Sequence, residues 1–192
     1  MKITFFDTET TGVPHSYKLP PEQYPRIVSL AFIQTNEGKV FKSMPSIVKP
    51  EGFEIPEAAS AIHGITTDHA LLHGIELKTV MTEFGKAWRD SDLIVAHNFA
   101  FDSKIVDGEA WRLWGKYFIT NKPHFCTMQN TTDLLQIPGP YGYKFPKLME
   151  LHEYLFDQSF DGAHDALADV TATMNCYFEL EKRGLINKIL LP

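Results

Sequence analysis

Only two cysteines, Cys126 and Cys176, occur in 192 residues. Two cannot build a disulfide framework, and neither lies in a zinc-ligand spacing, so both are expected as buried reduced thiols. No apolar run approaches the roughly 18 residues needed to cross a bilayer. The first residues, 1–7 (MKITFFD), meet an acid too soon for a secretion signal, and a cytoplasmic location is expected. Repeats, low-complexity tracts and linkers are lacking too, and the length suits one domain, expected over 1–192. Positive charge is scarce: 18 Lys and Arg against 24 Asp and Glu leave a net charge of −6. That argues against a protein that coats duplex DNA by counterion release. It does not exclude a nuclease, because carboxylates that bind divalent metal make a sequence acidic while the loaded site is far less negative.

What is present is material for a core, with 44% hydrophobic and 22% charged residues. Residues 3–6 (ITFF) read as a buried strand running into Asp7 and Glu9. Residues 26–34 (RIVSLAFIQ) alternate toward a second strand; a turn at Asn36, Glu37, Gly38 and Lys39 precedes a third over 40–48. Prolines within 14–25 mark a loop between the first two strands. Leu77, Val80, Met81, Phe84 and Trp88 fall at helical spacing. Residues 92–96 (DLIVA) form a short buried strand, followed by a helix through Trp111 and Trp114, both expected in the core. A strand-like piece around Phe125, a helix near Asp133, a loop over 138–146 and helices from about Lys147 and Asp165 complete the pattern. A meander followed by alternating helices and strands predicts an α/β fold, a mixed sheet flanked by helices. The apolar residues 185–191 are expected to pack on the domain.

The acids carry the chemistry. Asp7 and Glu9 stand two apart at a strand end, so both carboxylates leave the same face and can aim at one point. Paired anions cost energy unless neutralised, which a hard divalent cation does with oxygen ligands. Thr10, Thr11 and Gly12 then let the backbone turn sharply beside them. Asp102, in the segment 97–102 (HNFAFD), follows the second buried strand at the same kind of exit, where α/β sheets tend to place their sites. Taken alone, Asp102 also reads as a first-turn helix acid favoured by the dipole. Asp169 sits in the first turns of the last helix, with His164 on the loop before it. A histidine beside metal-bound acids is placed to deprotonate water. Asp165 reads best as that helix's N-cap.

In order and in context, FxDTETTG, HNxxFD and HDAxxD resemble the motifs of the DnaQ-like DEDDh 3′–5′ exonucleases, a family that includes the proofreading subunit of bacterial DNA polymerase III. The resemblance spans nearly the whole chain. It implies a ribonuclease H-like mixed sheet of about five strands. Asp7, Glu9, Asp102 and Asp169 would hold two Mg²⁺ or Mn²⁺ ions, and His164 would act as general base. The substrate would be a single-stranded nucleic-acid 3′ end, DNA favoured over RNA. Phe101 resembles the family's base-stacking aromatic, with Phe99 facing the core; the reverse arrangement, or burial of both, stays open. Thr10 would meet the terminal 3′-hydroxyl, with Thr8, His63, Ile65 and Asn98 also on the substrate side. For His63 a structural role is the alternative, and for Asn98 a brace of the loop. Alternatives of function are an exoribonuclease with the same chemistry and a non-catalytic subunit that binds a DNA polymerase.

Two further features invite a reading. His69 and His73 stand four apart, one way to hold a metal, but without a recognisable third ligand they read as a solvated pair. Lys144 and Lys147 flank Phe145 and follow Tyr141 and Tyr143. Basic residues with interleaved aromatics can track a nucleic-acid strand; a solvated loop is the alternative.

Overall fold

The computed structural model describes residues 1–16, 18–118 and 122–186. Strands β1 (Lys2–Thr10), β2 (Ile27–Asn36) and β3 (Lys39–Ile47) form the expected meander. Helices α1 (Glu57–His63), α2 (Thr67–His73) and α3 (Leu77–Asp90) lead to β4 (Leu93–Ala96) and α4 (Phe99–Trp114). After β5 (His124–Cys126) come the short helices α5 (Thr127–Asn130) and α6 (Thr132–Leu135) and the small hairpin β6 (Pro138–Gly139) and β7 (Gly142–Tyr143). The longer α7 (Leu148–Phe156) and α8 (Ala166–Lys182) follow. The main sheet has the order β3-β2-β1-β4-β5, with β4 parallel to β1 and β5 parallel to β4. This is the mixed five-stranded, helix-flanked sheet of the ribonuclease H-like architecture.

Its two faces begin with Phe5 and Phe6. Neighbours on a strand point to opposite sides, and each ring founds a different core. Phe6 packs with Phe32, Phe84, Trp88 and Ile105 under α3 and α4. Phe5 packs with Ile33, Val95, Val170 and Tyr177 under α8, its ring 5.5 Å from that of Tyr177. Phe5, Phe6, Phe32 and Phe84 are all fully buried, each worth roughly 1.5–3 kcal/mol of transfer free energy. Helix α7 docks on α8 through Leu151, Leu155, Cys176 and Leu180.

Several sequence expectations need correction. Strand β1 does not stop at Phe6 but runs through the acids to Thr10, pairing Asp7 with Ala31 and Glu9 with Ser29. The β-branched residues Thr8 and Thr10 suit a strand, and both are buried. A register shift between Glu9 and Thr10 ends the regular ladder. Helices α1 and α2 went unanticipated as a pair. They are held by left-handed Gly64 after α1 and by the Thr66 hydroxyl, which caps the His69 amide at 3.2 Å. Trp111 is not a core residue: it is 36% exposed beside Tyr117, while Trp114 is only partly buried against the main core. Both cysteines are free and buried as expected. Ile186 packs on the α8 side of the core, whereas the rest of the apolar end, 187–192, lies outside the described residues. Among the described residues no helix is long and apolar enough to cross a membrane.

Candidate active site

The ends of β1, β4 and α8 bring the three motifs together. Asp7 and Glu9 lie on β1 two residues apart, each with some surface left open. Asp102 is buried in the first turn of α4. Its Oδ1 accepts hydrogen bonds from the Thr8 hydroxyl at 2.7 Å and the Thr8 amide at 3.1 Å. Thr8 thus spends its side chain on holding Asp102.

His164 stands on the exposed turn before α8 with a left-handed φ of 70°. Its backbone amide donates to Asp169 Oδ2 at 3.1 Å. Asp165 caps α8, its Oδ1 accepting from the Leu167 and Ala168 amides at 3.0 Å each. The tightest ligand group consists of Glu9, His164 and Asp169, whose potential ligand atoms all lie within 4.8 Å of one another.

Asp7 and Asp102 join this group electrostatically. Asp7 is held well above the usual carboxylate range, first by burial, then by repulsion from Asp102, Asp169, Glu9 and Asp165. Burial pushes Glu9 up to about 8, with added repulsion from Asp169, Asp102 and Asp165. Asp102 is pushed up to about 7 by burial, against the downward pull of the Thr8 hydrogen bonds. Asp169 rises to about 6 through burial, offset in part by the His164 amide. Four carboxylates that disfavour one another's charge are an oxygen-rich, cation-seeking donor set. The residues present therefore fit magnesium or manganese.

The residues on the substrate side are placed unevenly. Phe99 is buried and stacks on His124 with ring centroids 4.1 Å apart, leaving Phe101 as the more open ring at the edge of the core. Asn98 adopts a left-handed conformation immediately before α4 and makes no side-chain cap to it. The Thr10 hydroxyl donates to the Gly12 carbonyl at 2.6 Å. Ile65 packs against the small core of Val28, Ile55, Ala59 and Ala70.

His63 is more informative. Its Nδ1 accepts from the Ile65 amide at 3.1 Å, so the proton of the neutral ring belongs on Nε2. That Nε2 is buried without a hydrogen-bond partner. Burial lowers the His63 pKa, the Thr10 backbone opposes this, and His164 adds to the lowering. His63 is thus a ring whose pKa burial lowers, set beside the Thr10 backbone and His164.

His97 carries a role that its motif letter alone concealed. Its ring bridges Thr127 Oγ1 at 2.9 Å and the Pro146 carbonyl at 3.1 Å, and burial drives its pKa down to about 4. The signal was the histidine itself at a strand exit; its partners are too distant in sequence to be guessed. His69 and His73 stand with rings 4.6 Å apart on exposed α2, and among the described residues no third ligand joins them. Lys144 is engaged by Glu150 at 2.5 Å.

The exonuclease family profile, RNase T, matches residues 4–177, which hold all three motifs. The chain belongs to the RNase T exonuclease family. This sets the resemblance at the level of the DEDDh-type exonucleases rather than of the polymerase III proofreading subunit. The chain is similar to an uncharacterised exonuclease of Escherichia phage 186, CP81, at 30% identity over 94% of this chain and 88% of that protein. It is also similar to the PolC-type DNA polymerase III of Listeria welshimeri, at 28% identity over 53% of this chain and 6% of the polymerase. Among solved structures, E. coli exonuclease I in complex with a dT13 oligonucleotide matches with TM-score 0.71 at 20% identity. That match covers 95% of this chain and 41% of exonuclease I, and at such identity it speaks for the fold alone.

Proposed function

We propose that this family member is a 3′–5′ exonuclease that hydrolyses single-stranded DNA ends to nucleoside 5′-monophosphates. The observation that supports this reading is the clustering of Glu9, Asp169 and His164, with Asp7 and Asp102 coupled to the same acids through their charges. These four carboxylates would hold two Mg²⁺ or Mn²⁺ ions. When bound, such ions neutralise the acids and stabilise the charge that builds on phosphate oxygens during displacement.

The chain's own groups do the rest. His164, exposed on its turn, accepts the proton of the attacking water; imidazole is suited to this near neutral pH. The water oxygen bonds to phosphorus, the bond to the 3′-oxygen breaks, and that oxygen takes up a proton as the shortened strand leaves. Thr8 keeps Asp102 oriented. Phe101 offers a face on which the terminal base stacks, independent of its identity. Thr10 and His63 would bind the sugar end, with Ile65 on the same side and Asn98 shaping the turn before Asp102.

Support for DNA comes from the PolC-type match, which is a DNA polymerase. That polymerase match also favours a second reading, in which the chain serves a DNA polymerase as its proofreading nuclease. The test uses matched 5′-labelled single-stranded DNA and RNA with Mg²⁺ or with EDTA. The expected result is a metal-dependent ladder shortening from the 3′ end, faster on DNA. Faster loss of RNA would make the chain an exoribonuclease, and no cleavage of either would leave a non-catalytic subunit.

A further inference from the structure

The hairpin between α6 and α7 has no part in the hydrolysis just described, yet its construction is costly. It displays Tyr141 at 102% relative exposure, Phe145 at 58% and Tyr143 at 52%, three large rings within five residues. Other exposed aromatics, such as Phe41 and the pair of Trp111 and Tyr117, stand singly or in twos, and among the described residues no other stretch this short displays three.

The hairpin is a built element. Pro138 pairs with Tyr143 and Gly139 with Gly142, and the Lys144 amide extends the ladder to the Ile137 carbonyl at 2.9 Å. Gly139 suits its place: a Cβ there would stand a tight 3.1 Å from the Gly142 carbonyl oxygen and from Lys144. Gly142 takes a φ of 123°, open to glycine alone at little cost. Tyr143 and Phe145 alternate with Lys144 along the chain, so in extended backbone the rings leave one side and the lysine the other. Lys144 reaches Glu150 at 2.5 Å, and the same carboxylate accepts the Lys147 amide at 2.7 Å. One side of the strand is thereby riveted to the first turn of α7, and the aromatic side is left open.

Its base is fastened to the catalytic edge. The Pro146 carbonyl accepts from the His97 ring, and His97 opens the segment 97–102 that ends at Asp102. The base of the hairpin is thereby tied to the segment that carries Phe101 and Asp102. Residues two apart on an extended strand are separated by about 6.6 Å. That is near twice the roughly 3.4 Å rise of a stacked strand, which leaves room for one base between Tyr143 and Phe145.

We infer that Tyr141, Tyr143 and Phe145 form a stacking arm for the single strand upstream of the nucleotide being removed. The inference rests on the nuclease reading above and adds to it a second, length-sensing subsite. Stacking needs no base identity, and Lys144 and Lys147 outweigh Glu150 in local charge, which suits a polyanionic strand. The arm makes a long single strand a better substrate than a short one.

The test replaces Tyr141, Tyr143 and Phe145 by serine, singly and together, in the full chain. Hydrolysis is compared on the p-nitrophenyl ester of thymidine 5′-phosphate, on a thymidine trinucleotide and on a long oligothymidylate. Melting of each variant is measured beside the wild type. In the triple variant KM for the long oligomer should rise about tenfold or more, with the ester's turnover unchanged and the advantage of long over short lost. An unaltered length preference in a folded triple variant would overturn the arm. If the wild type cleaves nothing, the nuclease reading fails separately. Anisotropy of a fluorescent oligothymidylate in Ca²⁺ then decides: weaker binding by the triple variant supports the arm, and equal binding overturns it.

Discussion

Glu109 and Asp7 are both carboxylates withdrawn from water, and the chain treats them in opposite ways. Glu109, on α4, is fully buried and fully answered. Arg26 Nε lies 2.9 and 3.2 Å from its oxygens, Arg112 Nη1 at 3.1 Å, and the Ile27 amide donates at 2.9 Å. This acid ties the loop before β2 to α4. Asp7 meets only other acids: Asp102, Asp169, Glu9 and Asp165 all raise its pKa on top of burial. No lysine or arginine pairs with it among the described residues. A structural acid brings its cation with it, whereas a binding site leaves that position for something from outside.

The comparison breaks most sharply under mutation. Asp7→Ala should cut cleavage by about a thousandfold or more, since metal stabilisation of the reaction is worth several kcal/mol. Its metal-free melting temperature should hold or rise because a repulsive charge is gone. Near-wild-type turnover in this variant would defeat the metal assignment. His164→Ala should lose about 10²–10⁴ in rate, the scale of general base catalysis. Metal affinity, read by calorimetry, should survive, because the amide that holds Asp169 remains; a large loss would make His164 a ligand. Glu109→Ala should act in the opposite manner, costing about 3 kcal/mol by stranding two arginines. Turnover per folded molecule should not change, which a denaturation curve beside an activity assay can establish.

The smallest effect concerns pH. Folded-state pKa values for Glu9, Asp102 and Asp169 of about 8, 7 and 6 lie above ordinary carboxylate values. The metal-free folded chain then holds more protons than the unfolded one, so stability falls as pH rises from the unfolded range near roughly 4 toward 8. In EDTA the melting temperature should drop across that window, and Mg²⁺ should restore most at its upper end. Asp7→Asn should flatten the slope; an unchanged slope would dissociate it from these acids.

Much of this was legible in the residues. The buried strand over 3–6, the two-residue step from Asp7 to Glu9 and the N-cap at Asp165 are local facts, and the structure bears them out. What escaped depended on distance. The partner of Thr8 lies 94 residues away at Asp102, so its place among the substrate residues gave no hint that its hydroxyl is spent on a neighbouring carboxylate. His97 likewise finds the Pro146 carbonyl 49 residues on. Helices α1 and α2, seven residues each, are too short to show a period and form because Ala59 and Ala70 are buried. Trp111 misled because a large apolar ring reads as core, while α4 turns Ile105, Val106 and Ala110 inward instead.

The parallel placement of β4 beside β1, with α8 closing over both, has a consequence for folding. Parallel neighbours and a late helix are non-local contacts, formed only after long stretches of chain have been closed into loops. Asp7 and Glu9 exist on the first strand from the outset, but Asp102 and Asp169 reach them only when the last elements dock. Metal affinity that needs all of them, as proposed, would then be acquired late in assembly. A half-folded chain has the acids without the site, and on the nuclease reading would not cut before it is complete.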